Sequence, residues 1–97
     1  MHFWSFSDNI TGSTQMSGMT GAPNGREKVK AIQVYARKAN AADIYFGDSN
    51  VSSSRGREIP PGSTLSLSFG GGSVPFSTFY VIHATSGDDV DVVLITE

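Results

Sequence analysis

The plainest alternation in the chain is at Leu65, Leu67 and Phe69, which are separated by Ser66 and Ser68. A period of two gives one apolar face and one hydroxyl face, the signature of a half-buried strand. Residues 43–47 (DIYFG) form a second, β-branched and aromatic run that stops at Gly47, where Gly47-Asp48-Ser49-Asn50 supplies turn residues. Between these runs, residues 52–56 are small, polar or basic, and Pro60-Pro61-Gly62-Ser63 imposes extended backbone and then a turn. Each proline fixes its own φ and turns the preceding residue away from helix, so no helix crosses this region.

Residues 29–37 (VKAIQVYAR) predict a further strand, with Ile32, Val34 and Ala36 on one face and Lys30 on that side near the start. Val29, Ile32 and Tyr35 or Ala36 also fit a helical period, and residues 38–42 have helical propensity. The clustering of β-branched residues and the strand-like flanks decide for a strand. Residues 39–42 then make a tight connection, and residues 28–47 read as a hairpin. Residues 79–84 (FYVIHA) and 90–95 (VDVVLI) predict two more strands, joined as a hairpin through Thr85-Ser86-Gly87-Asp88-Asp89. Both carry apolar residues on both faces, which places them centrally. The expected fold is all-β, a small antiparallel β-sandwich or barrel. Its core should hold Ile32, Val34, Ile44, Phe46, Leu65, Leu67, Val81, Val92 and Leu94.

Residues 1–25 stand apart. They open with Phe3, Trp4 and Phe6 and continue as a Gly, Ser and Thr-rich tract without a sustained period, up to an Asn24-Gly25 turn. The reading is an extended N-terminal arm over residues 1–25, followed by a β-domain over residues 26–97. A disordered tail is poor in aromatics, so these rings need a receiving surface. The arm either folds back as an edge strand, dropping Phe3 or Trp4 into its own core, or reaches to another protein. In the second case Phe3, Trp4, Phe6, Met16 and Met19 are contact residues, the methionines because they adapt to an irregular surface.

Ninety-seven residues make one domain with a thin margin of core, so help from neighbouring subunits is expected. The chain has no cysteine, which excludes a disulfide framework and thiolate metal sites. No apolar run approaches a membrane span, and no basic region precedes an apolar stretch at the N-terminus, so a soluble, unsecreted protein is expected. All seven Lys and Arg lie within residues 26–57, against Glu27, Asp43 and Asp48, whereas residues 58–97 carry five acids and no base. Either these charges neutralise one another across strands or subunits pack basic edge to acidic edge.

No constellation points to catalysis. His2 and His83 have no serine or carboxylate at a spacing that would make either a base, and nothing activates the abundant hydroxyls. Gly70-Gly71-Gly72-Ser73 lacks the helix and following Lys of a phosphate loop. Asp48-Ser49-Asn50 begins like a calcium loop but lacks its Gly and its closing Glu, and Asp88, Asp89 and Asp91 are a weak metal signal. Arg55 and Arg57 near Tyr45 and Phe46 hint at single-stranded nucleic acid, which the net charge of -2 opposes. No enzyme, cofactor, metal, nucleic acid or membrane partner is expected.

The stretch Ile44-Tyr45-Phe46-Gly47-Asp48-Ser49-Asn50-Val51-Ser52-Ser53-Ser54, a following Gly, and then Ile59, Pro60, Gly62 and Ser63 leading into Leu65 and Leu67 resembles a pattern of short virion proteins of tailed bacteriophages. Phe79-Tyr80-Val81-Ile82, the Gly87 turn and Val92-Val93-Leu94 look like the closing hairpin of that family. The likeness covers residues 29–97 and leaves residues 1–25 uncovered. It implies a capsid decoration, or cement, protein on the virion surface that binds the major capsid protein. It also implies a homo-oligomer, a trimer rather than a dimer, with Arg55 and Arg57 joining the residues above as capsid or subunit contacts. The alternatives are a neck, tail or fibre component with the same body, and a carbohydrate-binding module using Tyr45 or Tyr80.

Overall fold

The computed structural model describes residues 1–10, 12–83 and 88–97, the side chain of His83 excepted. It is an all-β sandwich of two antiparallel sheets. The strands are β1 (His2–Ile10), β2 (Thr14–Gln15), β3 (Lys28–Ala36), β4 (Ile44–Gly47), β5 (Arg57–Ile59), β6 (Thr64–Ser68), β7 (Val74–Pro75), β8 (Tyr80–His83) and β9 (Asp88–Thr96). The larger sheet runs β1-β9-β3-β6, with β7 on the start of β3, and the smaller runs β2-β8-β4-β5.

The five expected strands are present within a residue or two of their predicted ends, and β8 and β9 are central in their sheets. The connections differ from the expectation. β3 and β4 lie in different sheets, as do β8 and β9, so neither pair is a hairpin. Part of the expected second turn, residues 85–87, lies outside the described residues. A strand leaving one layer for the other buries its apolar face on the same core from the opposite side, and the adjacent hairpin partner is replaced by one distant in sequence. Among the described residues the smaller sheet has one hairpin, β4–β5, where Ile44, Tyr45 and Phe46 face Ile59, Glu58 and Arg57.

Residues 1–25 are not a separate arm. β1 pairs with β9 over nine consecutive residues, from His2 with Thr96 to Ile10 with Asp88. Phe6, Ile10, Met16 and Met19 are all buried in the core. A 3-10 turn over Met16–Gly18 is held by the Met16 N–H donating to the Phe79 carbonyl at 2.9 Å, which drives Met16 between the sheets. Folding back as an edge strand is the realised outcome, but with Phe6 inside and Phe3 outside: Phe3 is 69% exposed.

The core is layered in rows set by the register. Trp4, Leu94, Ile32 and Leu67 share one inner row, and Phe6, Val92, Val34 and Leu65 the next. Across from them stand Ile44, Ile59, Phe46 and Val81 of the smaller sheet. Phe76 is fully buried and meets Phe6 edge to face at 5.9 Å, while Phe79 stacks on Phe46 at 5.5 Å. Seven of the nine expected core residues are buried; Leu65 and Leu67 are only half-buried because β6 is an edge strand. Leu67→Ala is therefore expected to cost about 1 to 2 kcal/mol in a urea titration, below the range of about 2 to 5 for a fully buried leucine.

A β-bulge between Val29 and Ala31 explains the helical rhythm of β3. The extra residue, Lys30, turns Val29 inward alongside Ile32, so two core residues sit three apart in a strand. Lys30 itself is half-buried.

Candidate interaction surfaces

The register also orders the outer face of the larger sheet. Phe3, Ile95, Ala31 and Ser68 form one row; Ser5, Val93, Gln33 and Ser66 the next; Ser7, Asp91, Tyr35 and Thr64 the third. The apolar end is an open groove of about 410 Å³, lined by Phe3, Ala31, Val93 and Ile95 together with the polar Gln33, Ser66 and Ser68. Chemically it offers aliphatic surface edged by hydroxyls, a face suited to contact with another protein.

The opposite end of this face is closed by charge. Arg37 donates to Asp91 through Nε at 2.9 Å and Nη2 at 2.7 Å, and through Nη1 to Asp89 at 3.4 Å. Ser7 donates to Asp91, and Asn9 Nδ2 to Asp89 at 2.8 Å. The basic segment thus meets the acidic one across strands of the same chain at this point. The two-pronged hydrogen bond from Arg37, with a further one from Ser7, holds the Asp91 carboxyl below the usual carboxylate range, and Asp91 in turn raises Arg37. A depressed carboxylate stabilises the fold above its unfolded pKa of about 3.9 and loses that contribution as pH falls through the lower folded value. The stability gap between the native chain and Asp91→Asn is expected to be widest near neutrality and to close below about pH 4. Urea midpoints measured across pH check this.

The remaining acid, Asp88, points inward. Its two carboxylate oxygens accept the backbone N–H groups of Ala41 and Ala42 at 2.9 and 3.0 Å. Asn40 reciprocates, with Nδ2 donating to the Asp89 carbonyl and Oδ1 accepting the Asp89 N–H, both at 2.9 Å. These residues stitch the β3–β4 crossover to the start of β9. Asp88, Asp89 and Asp91 therefore serve the crossover and Arg37, and no three His, Cys, Asp or Glu among the described residues gather to hold a metal.

The β4–β5 loop, residues 48–56, folds over itself. Asp48 caps its start by accepting the Asn50 N–H on Oδ1 and the Val51 N–H on its carbonyl, and Ser52 and Arg55 exchange backbone hydrogen bonds at 2.7 and 3.1 Å. Val51 is buried between Gly47 and Gly56. Gly56 has φ +141, and a Cβ there would lie 2.6 Å from Val51 Cγ2 and 3.0 Å from the Phe46 carbonyl, so only glycine fits. The following turn is closed by the Ser63 N–H on the Pro60 carbonyl at 3.0 Å, with Gly62 at φ +84.

The expected contact residues divide accordingly. Phe3 is exposed at the groove, and Arg55 and Arg57 are exposed on the loop and on β5, where Arg57 rims a second opening between the sheets with Phe46, Leu65 and Leu67. Trp4 is half-buried, its Nε1 donating to Thr96 Oγ1 at 3.1 Å. Phe6, Met16 and Met19 are core residues and are not available to a partner. Phe3 lines the groove and Arg57 the second opening, and the two share Ser66 and Leu67. Sequence reading missed the groove residues Ala31, Val93 and Ile95; the signal was present in the two-sided apolar pattern of β9. Neither a protein-family model nor a curated protein matches the chain.

Proposed function

We propose that the chain is a structural virion protein, a capsid decoration protein that binds the outer surface of a phage head as a homo-oligomer and stiffens the shell. The observation that carries this reading is the apolar groove with the exposed Phe3 at its rim, a surface that a free-standing domain of this size gains nothing by exposing. The resemblance of residues 44–67 to short phage virion proteins agrees with it. In that stretch Val51 packs against Gly47 and Gly56, and Pro60 and Gly62 form the turn that follows.

The test is addition of the purified chain to head shells that lack it, followed by sedimentation and by heating of the shells. Binding in fixed stoichiometry and a raised temperature of shell rupture are expected, and Phe3→Ser should weaken binding at least tenfold. Labelling confined to tails or necks would move the protein to another part of the virion. A sugar-binding module is favoured by one feature. Tyr45 and Tyr80 lie on the outer face of the smaller sheet as diagonal neighbours across β4 and β8. Glycan binding lost in Tyr45→Ala, with shell binding absent, would establish that reading instead.

A further inference from the structure

The two open edges of the larger sheet, β1 and β6, complement each other. Hydrogen-bond parity fixes which backbone groups face outward. The Arg37 N–H donates to the Asp89 carbonyl, so the odd-numbered residues of β9 turn their amides toward β3 and the even-numbered ones toward β1. Through the β1–β9 register, Phe3, Ser5 and Ser7 then direct their N–H and C=O groups away from the sheet. At the other edge the Ala36 N–H donates to the Ser63 carbonyl and the Phe69 N–H to the Lys30 carbonyl, which leaves Thr64, Ser66 and Ser68 facing outward.

Neither edge carries a Lys, a Pro or a bulge over the residues it turns outward, and the charge on β1, Asp8, lies toward the end of the strand. Natural sheets blunt their edges with Lys, Pro, bulges or very short strands. The two edges of the smaller sheet, β2 and β5, are two and three residues long. β1 is nine residues in unbroken register, its outward stretch free of Pro, Lys and Arg, and β6 is uncharged. The exposed large apolar side chains among the described residues, Met1 and Phe3, are both at β1.

We propose that these edges join head to tail between copies of this chain, β1 of one copy lying antiparallel to β6 of the next. One register matches all three outward residues on each side: Phe3 with Ser68, Ser5 with Ser66 and Ser7 with Thr64 of the next copy. On the outer face the small hydroxyls meet without crowding. On the inner face Trp4 comes opposite Leu67 and Phe6 opposite Leu65 of the next copy, so Trp4, Leu65 and Leu67, all half-buried in one chain, complete their burial. A twofold β1–β1 pair would leave the two leucines of β6 uncovered. Head-to-tail contacts close into a ring when the rotation between copies closes, as a trimer requires, and otherwise run on as a filament. The inference deepens the oligomeric part of the function proposed above and is independent of its virion part.

The absence of cysteine makes the test direct. Ser5→Cys and Ser66→Cys chains, prepared separately and then mixed and oxidised, should form a mixed disulfide, since paired residues at a hydrogen-bonded position stand about 5.5 Å apart. Ser5→Cys alone should not crosslink. Ser5→Pro deletes an outward N–H and spares the ladder to β9, so light scattering should fall from a multiple of 10.3 kDa to that mass with unchanged circular dichroism. Ser66→Lys should do the same from the opposite edge, which separates loss of pairing from a folding fault. A monomeric native chain, an oligomer indifferent to both variants, or crosslinking of Ser5→Cys to itself would each overturn the proposal. Loss of shell binding by an intact oligomer would count against the decoration reading alone.

Discussion

A chain lacking residues 1–19 is expected not to fold. The deletion removes β1 from its nine-residue pairing with β9 and takes Phe6, Ile10, Met16 and Met19 out of the core. Burying four such side chains contributes about 6 to 12 kcal/mol at roughly 1.5 to 3 each. The net stability of a small domain is about 5 to 15 kcal/mol, so the loss is comparable to the whole. Circular dichroism and amide proton dispersion of the truncated chain check this. A dispersed, strand-rich spectrum would show that residues 1–19 are dispensable and would restore the reading of an independent arm.

Phe76→Ala should be among the most damaging single substitutions, at about 3 to 5 kcal/mol. Phe76 is fully buried, sits edge to face on Phe6, and starts the 3-10 turn Phe76–Thr78, anchored by its N–H on the Glu27 carbonyl at 2.9 Å. That anchoring limits collapse around the vacated volume, which keeps the cost high. Phe69→Ala, at a half-buried ring stacked on Phe79, should cost clearly less. Urea midpoints at constant slope measure both, and equal losses would mean that the Phe76 cavity collapses after all.

The sequence made the long strands legible and the connections not. Residues 64–69 announce themselves by alternation, because one face lies on the core, and residues 90–95 by an apolar run rich in β-branched residues. β1 alternates too, with Trp4, Phe6 and Ile10 against Ser5, Ser7 and Asn9. Asp8 breaks its apolar face, and its carboxylate there accepts the Thr20 N–H at 3.0 Å. The aperiodic residues that follow β1 then favoured an arm. β5 was hidden because only Ile59 of its three residues is buried. Which sheet a strand joins depends on partners distant in sequence, so short loops such as residues 37–43 fit a hairpin and a crossover equally well. At the candidate surface the same limit applies. Aromatic and methionine side chains signal a need for burial, and only the register shows that Met16 and Met19 satisfy it internally while Phe3 does not.

The pairing of the first strand with the last carries a consequence for how the chain reaches its native state. The hydrogen bond from Trp4 to Thr96 spans 92 positions of sequence, and β9 is the middle partner of both β1 and β3. During synthesis, β4 and β5 can close a local hairpin early. β3 can meanwhile pair with β6, but β1 waits without a neighbour, with the rings of Phe3, Trp4 and Phe6 in water. Such non-local closure belongs to the slow regime of milliseconds to seconds. The window in which this chain is most prone to aggregate is therefore the interval before residues 88–96 arrive, and a chaperone that shields apolar segments would act on β1 first.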